Sequence, residues 1–267
     1  MVETFSEDYL SLLETSWNTL NSFEEPLKPT NIVISTITMI ADLKTEISIN
    51  SFKECPTWTP EAISHNFEIG VPNSKNKVKR TFFNQISVRY KDEKSQKSIK
   101  IFSNGRLQMT GITSSFEARN IVRIISECLT INPATCVISK DINPNLQIAM
   151  INSNFCLNYG INVVKLQDIM SCSSDRPSSV IYEPDVYPGL KVKYNNTHMF
   201  VFSTGNIVIT GAKSIKDIQN CYIYVNTLLL NNWRDVRCSY HTKKHQPKKI
   251  SHVHGYPAHL YDACIRP

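Results

Sequence analysis

The stretch from Ile99 to Asn120 returns one hundred positions later as Met199 to Asn220, with seven identities in twenty-two ungapped residues. Phe102, Ser103, Gly105, Thr110, Gly111, Ser114 and Asn120 recur as Phe202, Ser203, Gly205, Thr210, Gly211, Ser214 and Asn220. A repeat of this size constrains the chain to two similar halves and a pseudo-two-fold molecule. Duplex nucleic acid is a ligand with the same symmetry.

Hydrophobic periodicity gives each half one order: a strand, a helix, several antiparallel strands and a long closing helix. In the first half, Asn31 to Thr38 reads as a strand, and Ser51 to Lys79, with Pro56, Pro60, Gly70 and Pro72, reads as a long irregular insertion. Strands are then expected at Asn84–Tyr90, Ser98–Phe102 and Leu107–Thr110. From Ser114 onward Ile121, Ile124, Ile125, Cys128 and Leu129 line one helical face. In the second half, strands are expected at Leu146–Asn152, Leu190–Tyr194, Met199–Phe202 and Ile207–Thr210. Helices are expected near Lys165–Cys172 and from Ser214 to Leu230. Before the repeats, Leu10, Leu13, Trp17 and Leu20 have the spacing of a short amphipathic helix.

Successive strand residues point to opposite faces, so the alternation assigns sides. Ile86, Val88, Ile99, Ile101, Leu107, Met109, Leu190 and Val192 are expected to face the helices. The second face then receives Arg89, Lys100, Phe102, Gln108 and Thr110 from one half, and Lys191, Lys193, Phe200, Phe202, Val208 and Thr210 from the other. Cations would not suit a face covered by more protein, and phenylalanines would not suit a purely solvated one. Nucleic acid satisfies both, because aromatic rings wedge between or stack on bases while cations meet phosphates.

Charge supports an anionic partner. The formal net charge is +6, with six acids against Lys28 in residues 1–28 and seven bases against Asp235 and Asp262 in residues 234–267. The eight cysteines include no C-x-x-C pair and suggest a reducing, intracellular compartment. Neither a secretory signal nor an apolar run of membrane-spanning length is present in the sequence, so no membrane role is expected. The Cys/His set of the tail (Cys238, His241, His245, His252, His254, His259, Cys264) matches no standard zinc spacing, so no metal is assigned. The second face has no paired carboxylates, nucleophile–base grouping or phosphate-cradling loop, so neither catalysis nor a cofactor or small-molecule substrate is expected.

The strings YEPDVYPGL (Tyr182–Leu190) and FSTGNIVITGAKS (Phe202–Ser214), with the diverged first-half counterpart FSNGRLQMTG (Phe102–Gly111), resemble the TATA-box-binding protein family. The degree of divergence resembles the versions carried by large DNA viruses. The resemblance implies an α+β fold, a two-repeat saddle whose curved antiparallel sheet of about ten strands carries helices on its convex face. It divides the chain into an acidic N-terminal arm (1–28), a first repeat (29–133) with an insertion at 51–79, a second repeat (134–232) and a basic His-rich tail (233–267).

In that family each half inserts two phenylalanines into the minor groove. By motif, Phe83 and Phe102 fall on the first pair, and Tyr187 and Phe202 on the second. Asn31, Val33, Thr110, Val208 and Thr210 match groove-facing positions, joined on the same face by Lys100, Gln108 and Phe200. Met150 reads as the counterpart of Asn31, with Asn152 as the alternative. Arg89, Arg106, Lys191 and Lys193 are expected to meet phosphates without reading sequence. Glu183 and Asp185 match acids that the family presents to transcription factor IIB.

The function so implied is a transcription initiation factor that binds and bends promoter DNA and recruits a factor IIB-like protein and RNA polymerase, in the nucleus or a cytoplasmic viral factory. A recognition module of a nuclease or repair enzyme, and a protein scaffold that has lost DNA binding, are the alternatives. Gln108 stands where the family has valine, and its carboxamide can accept from the guanine amino group that a small apolar side chain excludes. Weaker discrimination against G·C is therefore expected in the half-site read by the first repeat.

Overall fold

The computed structural model describes residues 29–30, 32–54, 56–69, 84–91, 96–112, 114–132, 145–238 and the backbone of 256–257. The expected N-terminal helix, Asn31, Phe83, the 70–79 part of the insertion and the His-rich tail lie outside the described residues. The chain divides into two compact units, one within 36–149 and the other combining residues before 36 with those from 150 on.

The first unit contains most of β1 (Val33–Asp42), then α1 (Ile49–Glu54), α2 (Pro60–Ser64), β2 (Phe67–Ile69), β3 (Gln85–Lys91), β4 (Gln96–Phe102), β5 (Arg106–Ile112) and α3 (Ser115–Thr130). Its strands lie in the order β2-β3-β4-β5-β1, and neighbouring strands run antiparallel. The β-branched run of β1 suits a pleated, half-buried surface. Ile86, Val88, Ile99, Ile101, Leu107 and Met109 are fully buried, as the alternation requires, against Ile121, Val122, Ile124, Ile125 and Leu129 of α3. Fully burying an Ile or Leu is worth about 1.5–3 kcal/mol, so this layer is the main stabilising element of the unit. Ser114 caps α3 by accepting from the Glu117 N–H at 3.1 Å.

The second unit repeats the plan with β6 (Gln147–Cys156), β7 (Gly160–Ile161), α4 (Val163–Cys172), β8 (Ser179–Ile181), β9 (Leu190–Tyr194), β10 (Thr197–Val201), β11 (Asn206–Ala212), α5 (Ile215–Asn231), α6 (Trp233–Val236) and β12 (Arg237–Cys238). The strand order is β6-β11-β10-β9-β8, with β12 and β7 as a separate small pair. Leu190, Val192, Met199, Val201, Ile207 and Ile209 are buried against α5. Ser214 and Asp217 close a reciprocal capping box at the start of α5. The α+β class is as expected, with open antiparallel sheets totalling ten strands.

Two local expectations are corrected. The stretch read as irregular from Ser51 holds α2 and β2 and most of α1, because Phe52, Ala62 and Phe67 are buried and Trp58 sits within 6.3 Å of the Phe52 and Phe67 rings. Pro60, which reads as a breaker, occupies the first turn of α2 behind the Thr59 cap, where its missing N–H costs nothing. Strand β4 begins two residues earlier than Ser98 and turns Lys97 inward. Its ammonium is 1% exposed and meets the Glu117 carboxylate at 2.7 Å, with the Tyr90 ring 5.2 Å away.

The repeated FSxG turn is pinned from outside. Gly205 donates to the Phe202 carbonyl at 2.9 Å, and its own carbonyl accepts from Leu157 at 2.9 Å. Gly105 is held the same way by Phe102 and Leu43. At φ near +80° with a backbone oxygen 2.1 Å (Gly105) or 2.4 Å (Gly205) from where a Cβ would stand, no other residue fits either turn. The turns thereby fix the backbone at Phe102 and Phe202.

Candidate nucleic-acid interface

The second face of the second unit is built around three rings. Tyr187 meets Phe200 edge to face at 5.4 Å between centroids and Phe202 at 5.9 Å with the rings tilted by 59°, and all three are half-buried. The cluster lies over Gly189, where a Cβ would approach the Phe202 and Tyr187 rings to 2.9 Å, so only glycine lets the rings close down on the backbone. Lys191 places its ammonium 5.3 Å from the Tyr187 ring, a cation–π contact that helps hold the ring in place.

Strand register sets the neighbours. Phe200 lies between Lys191 and Val208, Val208 lies opposite Asn154, and His198 lies between Lys193 and Thr210. His198 and Asn154 were not among the expected site residues. The signal was available in the alternation, since extending β10 by one residue puts His198 on this face and extending β6 does the same for Asn154.

In the first unit the corresponding row is Ser87, Lys100, Gln108 and Ile40, and the next is Arg89, Ser98, Thr110 and Thr38. Phe102 pairs with Gln85 at the end of β3 and is half-buried, as is Val33 on β1. The two units thus share a backbone and differ in chemistry, with Lys100 and Gln108 where the second has Phe200 and Val208. Arg106 is exposed and lies 3.9 Å from Asp42; at the matching place in the second unit the Cys156 thiol donates to the Asn206 carboxamide oxygen at 2.8 Å.

The register also corrects one assignment. Thr38 pairs with Thr110 and Ile37 with Ile112, whereas Ile151 pairs with Ala212 and the Asn152 side chain meets Thr210. The first strands therefore correspond at an offset of 114, while the later strands keep 100. At that offset Met150 corresponds to Thr36 and Asn152 to Thr38. The counterpart of Asn31 in sequence is Asn145, in Asn145-Leu146-Gln147-Ile148 against Asn31-Ile32-Val33-Ile34. The change of offset, caused by extra residues between the first strand and the meander of the first repeat, hid this.

Glu183 and Asp185 are exposed on the loop before β9. The Glu183 carbonyl accepts from the Val186 and Tyr187 N–H groups at 3.0 and 2.8 Å, which closes the turn and leaves Val186 76% exposed beside the acids. Among the described residues no group of His, Cys, Asp and Glu is arranged to hold a metal, and no helix is long and apolar enough to cross a membrane.

Paired antiparallel repeats, each with an aromatic and cationic sheet face and helices on the other, define a two-repeat sheet fold, and known proteins resemble it in both sequence and structure. The family model for transcription factor TFIID (or TATA-binding protein, TBP) matches residues 147–231. The "TATA-box-binding protein-like" protein of Acanthamoeba polyphaga mimivirus is 29% identical over 246 residues, covering 78% of this chain and 67% of that protein. "TATA-box-binding protein 3" of Methanosarcina mazei is 27% identical over 129 residues, 48% of this chain and 65% of the archaeal protein. The solved structure of Methanococcus jannaschii TBP aligns with a TM-score of 0.51 at 18% identity, over 76% of this chain and 99% of that one, a likeness of fold. The second unit thus matches the TATA-binding protein family model, and the wider chain is similar to TATA-box-binding-protein-like proteins, a viral one among them.

Proposed function

We propose that this protein is a transcription initiation factor that binds duplex DNA through its minor groove, bends it and acts without catalysis. The observation that carries the reading is the Tyr187–Phe200–Phe202 cluster, half-buried on the sheet face beside Val208 and bordered by Lys191 and Lys193. Phe102 and Phe83 provide the wedge of the first half, and Arg89, Arg106, Lys191 and Lys193 position phosphates. Glu183 and Asp185, with the exposed Val186 between them and the wedge, form the surface that recruits a factor IIB-like partner and through it the polymerase. Selection of bound duplexes from a random pool, followed by a bending assay across a salt series, tests this. Salt-sensitive binding with a bend supports it, and failure to bind any duplex in dilute buffer sinks it.

Two substitutions refine the reading. Tyr187 carries a hydroxyl that must lose water when its ring enters a base step, at a cost of about 1 kcal/mol or more if unpaired. Tyr187→Phe keeps the ring and the contact with Lys191, so affinity should rise about fivefold; unchanged affinity would show the hydroxyl already satisfied. Gln108→Val should sharpen rejection of G·C in the half-site read by the first unit, by roughly 1 kcal/mol per substituted pair. Titration of a base-substitution series with both proteins checks it, and identical profiles would remove Gln108 from the interface.

A further inference from the structure

We infer that the cleft between α4 and α5 of the second unit is a binding site for an alkylammonium group, the chemistry shared by a free polyamine and a lysine side chain. The site lies away from the sheet face and does not rest on the minor-groove reading, so either can fail without the other.

The cleft has a volume of about 930 Å³ and is formed by the end of α4, the loop after it, the β9–β10 turn and one side of α5. That is the size of a small-molecule site, with room for a chain rather than a single ion. Ile169, Ile223 and Leu228 give it an apolar stretch, and Asp175 is the one charged side chain in its lining. Among the described residues no ion pair involves Asp175. In a chain of net charge +6, a cleft with a carboxylate and no lysine or arginine favours a cation.

Two tyrosines carry the rest of the argument. Tyr194 and Tyr224 stack at 4.1 Å between centroids, and the Tyr194 hydroxyl donates to the Asp175 Oδ2 at 2.8 Å. Burial, and the carboxylate beside it, push the Tyr194 phenol up to about 12, so this hydroxyl keeps its proton and holds Asp175 in place. Asp175 retains Oδ1 and a second lone pair on Oδ2 as acceptors. The Tyr224 side chain is 8% exposed, and its hydroxyl is buried with no hydrogen-bond partner among the described residues. Ser173 beside it directs its own proton to the Met170 and Asp175 carbonyls, each at 3.2 Å. The Asp175 charge acts on the Tyr224 phenol, which puts both groups at the same end of the cleft.

An ammonium carries three donors and no acceptor. It can give one proton to Asp175 and one to the Tyr224 oxygen while its methylenes lie along Ile223 and Leu228. A phosphate or carboxylate would meet Asp175 with like charge, and a neutral ligand would cover the carboxylate without pairing it. The fold does not require this tyrosine: the Ser114 and Ser214 caps align the two long helices, and Ile124, fully buried, stands where α5 has Tyr224. The site therefore belongs to the second unit alone.

The test couples carboxylates to neighbouring amines in full-length protein with a water-soluble carbodiimide, which takes up the water released as each amide forms, and locates the amides by mass spectrometry. Exposed Asp185 serves as the reference carboxylate. Coupling at Asp175 is expected to exceed that at Asp185 about tenfold. A link from Asp175 to a lysine in protein alone, suppressed by added spermidine, assigns the site to a lysine; a spermidine adduct with no lysine link assigns it to the free polyamine. Tyr224→Phe keeps the stacked ring and removes only the acceptor. It should fold at least as stably as wild type, bind duplex equally well and lower coupling at Asp175 about threefold. Asp175 coupled no faster than Asp185, with and without spermidine, overturns the inference, as does unaltered coupling in folded Tyr224→Phe. Failure to bind duplex counts against the proposed function only.

Discussion

Phe202→Ala is expected to weaken duplex binding about 10- to 100-fold and to abolish most of the bend, while leaving the fold intact. An aromatic ring stacked on a base is worth about 1–3 kcal/mol by truncation, and the wedge also drives the unstacking that bending requires. Phe202 follows β10 on a turn fixed by Gly205, Leu157 and Asn206, so its removal does not release the backbone. The ring is half-buried against Tyr187 and closes on Gly189, so a modest loss of stability accompanies the loss of binding. Fluorescence anisotropy gives the affinity, and energy transfer between end-labelled strands gives the bend. A variant that binds and bends like wild type would disprove the wedge. Phe102→Ala probes the first unit in the same way and separates the contributions of the two repeats.

Glu117→Gln is expected to destabilise the first unit by about 2–4 kcal/mol. The pair it breaks is buried at one end, with Lys97 1% and Glu117 19% exposed. Removing one partner of a buried pair leaves a charge in a poorly solvated place, which costs more than the pair contributed. The Tyr90 ring near the ammonium offsets part of the cost, so the value falls below that of a fully buried pair. The second unit shows an alternative in the same place: Thr197, 2% exposed, stands where Lys97 does, and Asp217 is freed to close the capping box of α5. Lys97→Thr combined with Glu117→Gln should therefore recover much of the loss. Urea unfolding of the two variants measures both, and an unmoved midpoint for Glu117→Gln would show the carboxylate to be dispensable.

Period-two alternation in the sequence made the second face legible. It sorted Ile99, Ile101, Leu107 and Met109 from Lys100, Phe102, Gln108 and Thr110, and the structure buries the first set and leaves the second half-exposed. It failed where a strand end was misplaced by one or two residues, which hid Lys97 on the inner face and His198 on the outer. A lysine reads as solvated by default, and its burial depends on a carboxylate twenty residues away whose proximity only the packed helix creates. The helix at Pro60 was missed because proline breaks a helix interior yet suits its first turn. The Thr210–Asn152 contact arises from strand pairing at a bulge, so nothing short of the register reveals it.

The unequal rows of the two units carry one more consequence. A duplicated protein whose halves had stayed alike would accept a symmetric duplex either way round, since exchanging its ends would exchange equivalent contacts. Lys100 and Gln108 cannot stand in for Phe200 and Val208, so on the reading proposed above such a complex has a front and a back, and drift between the copies suffices to give transcription its heading.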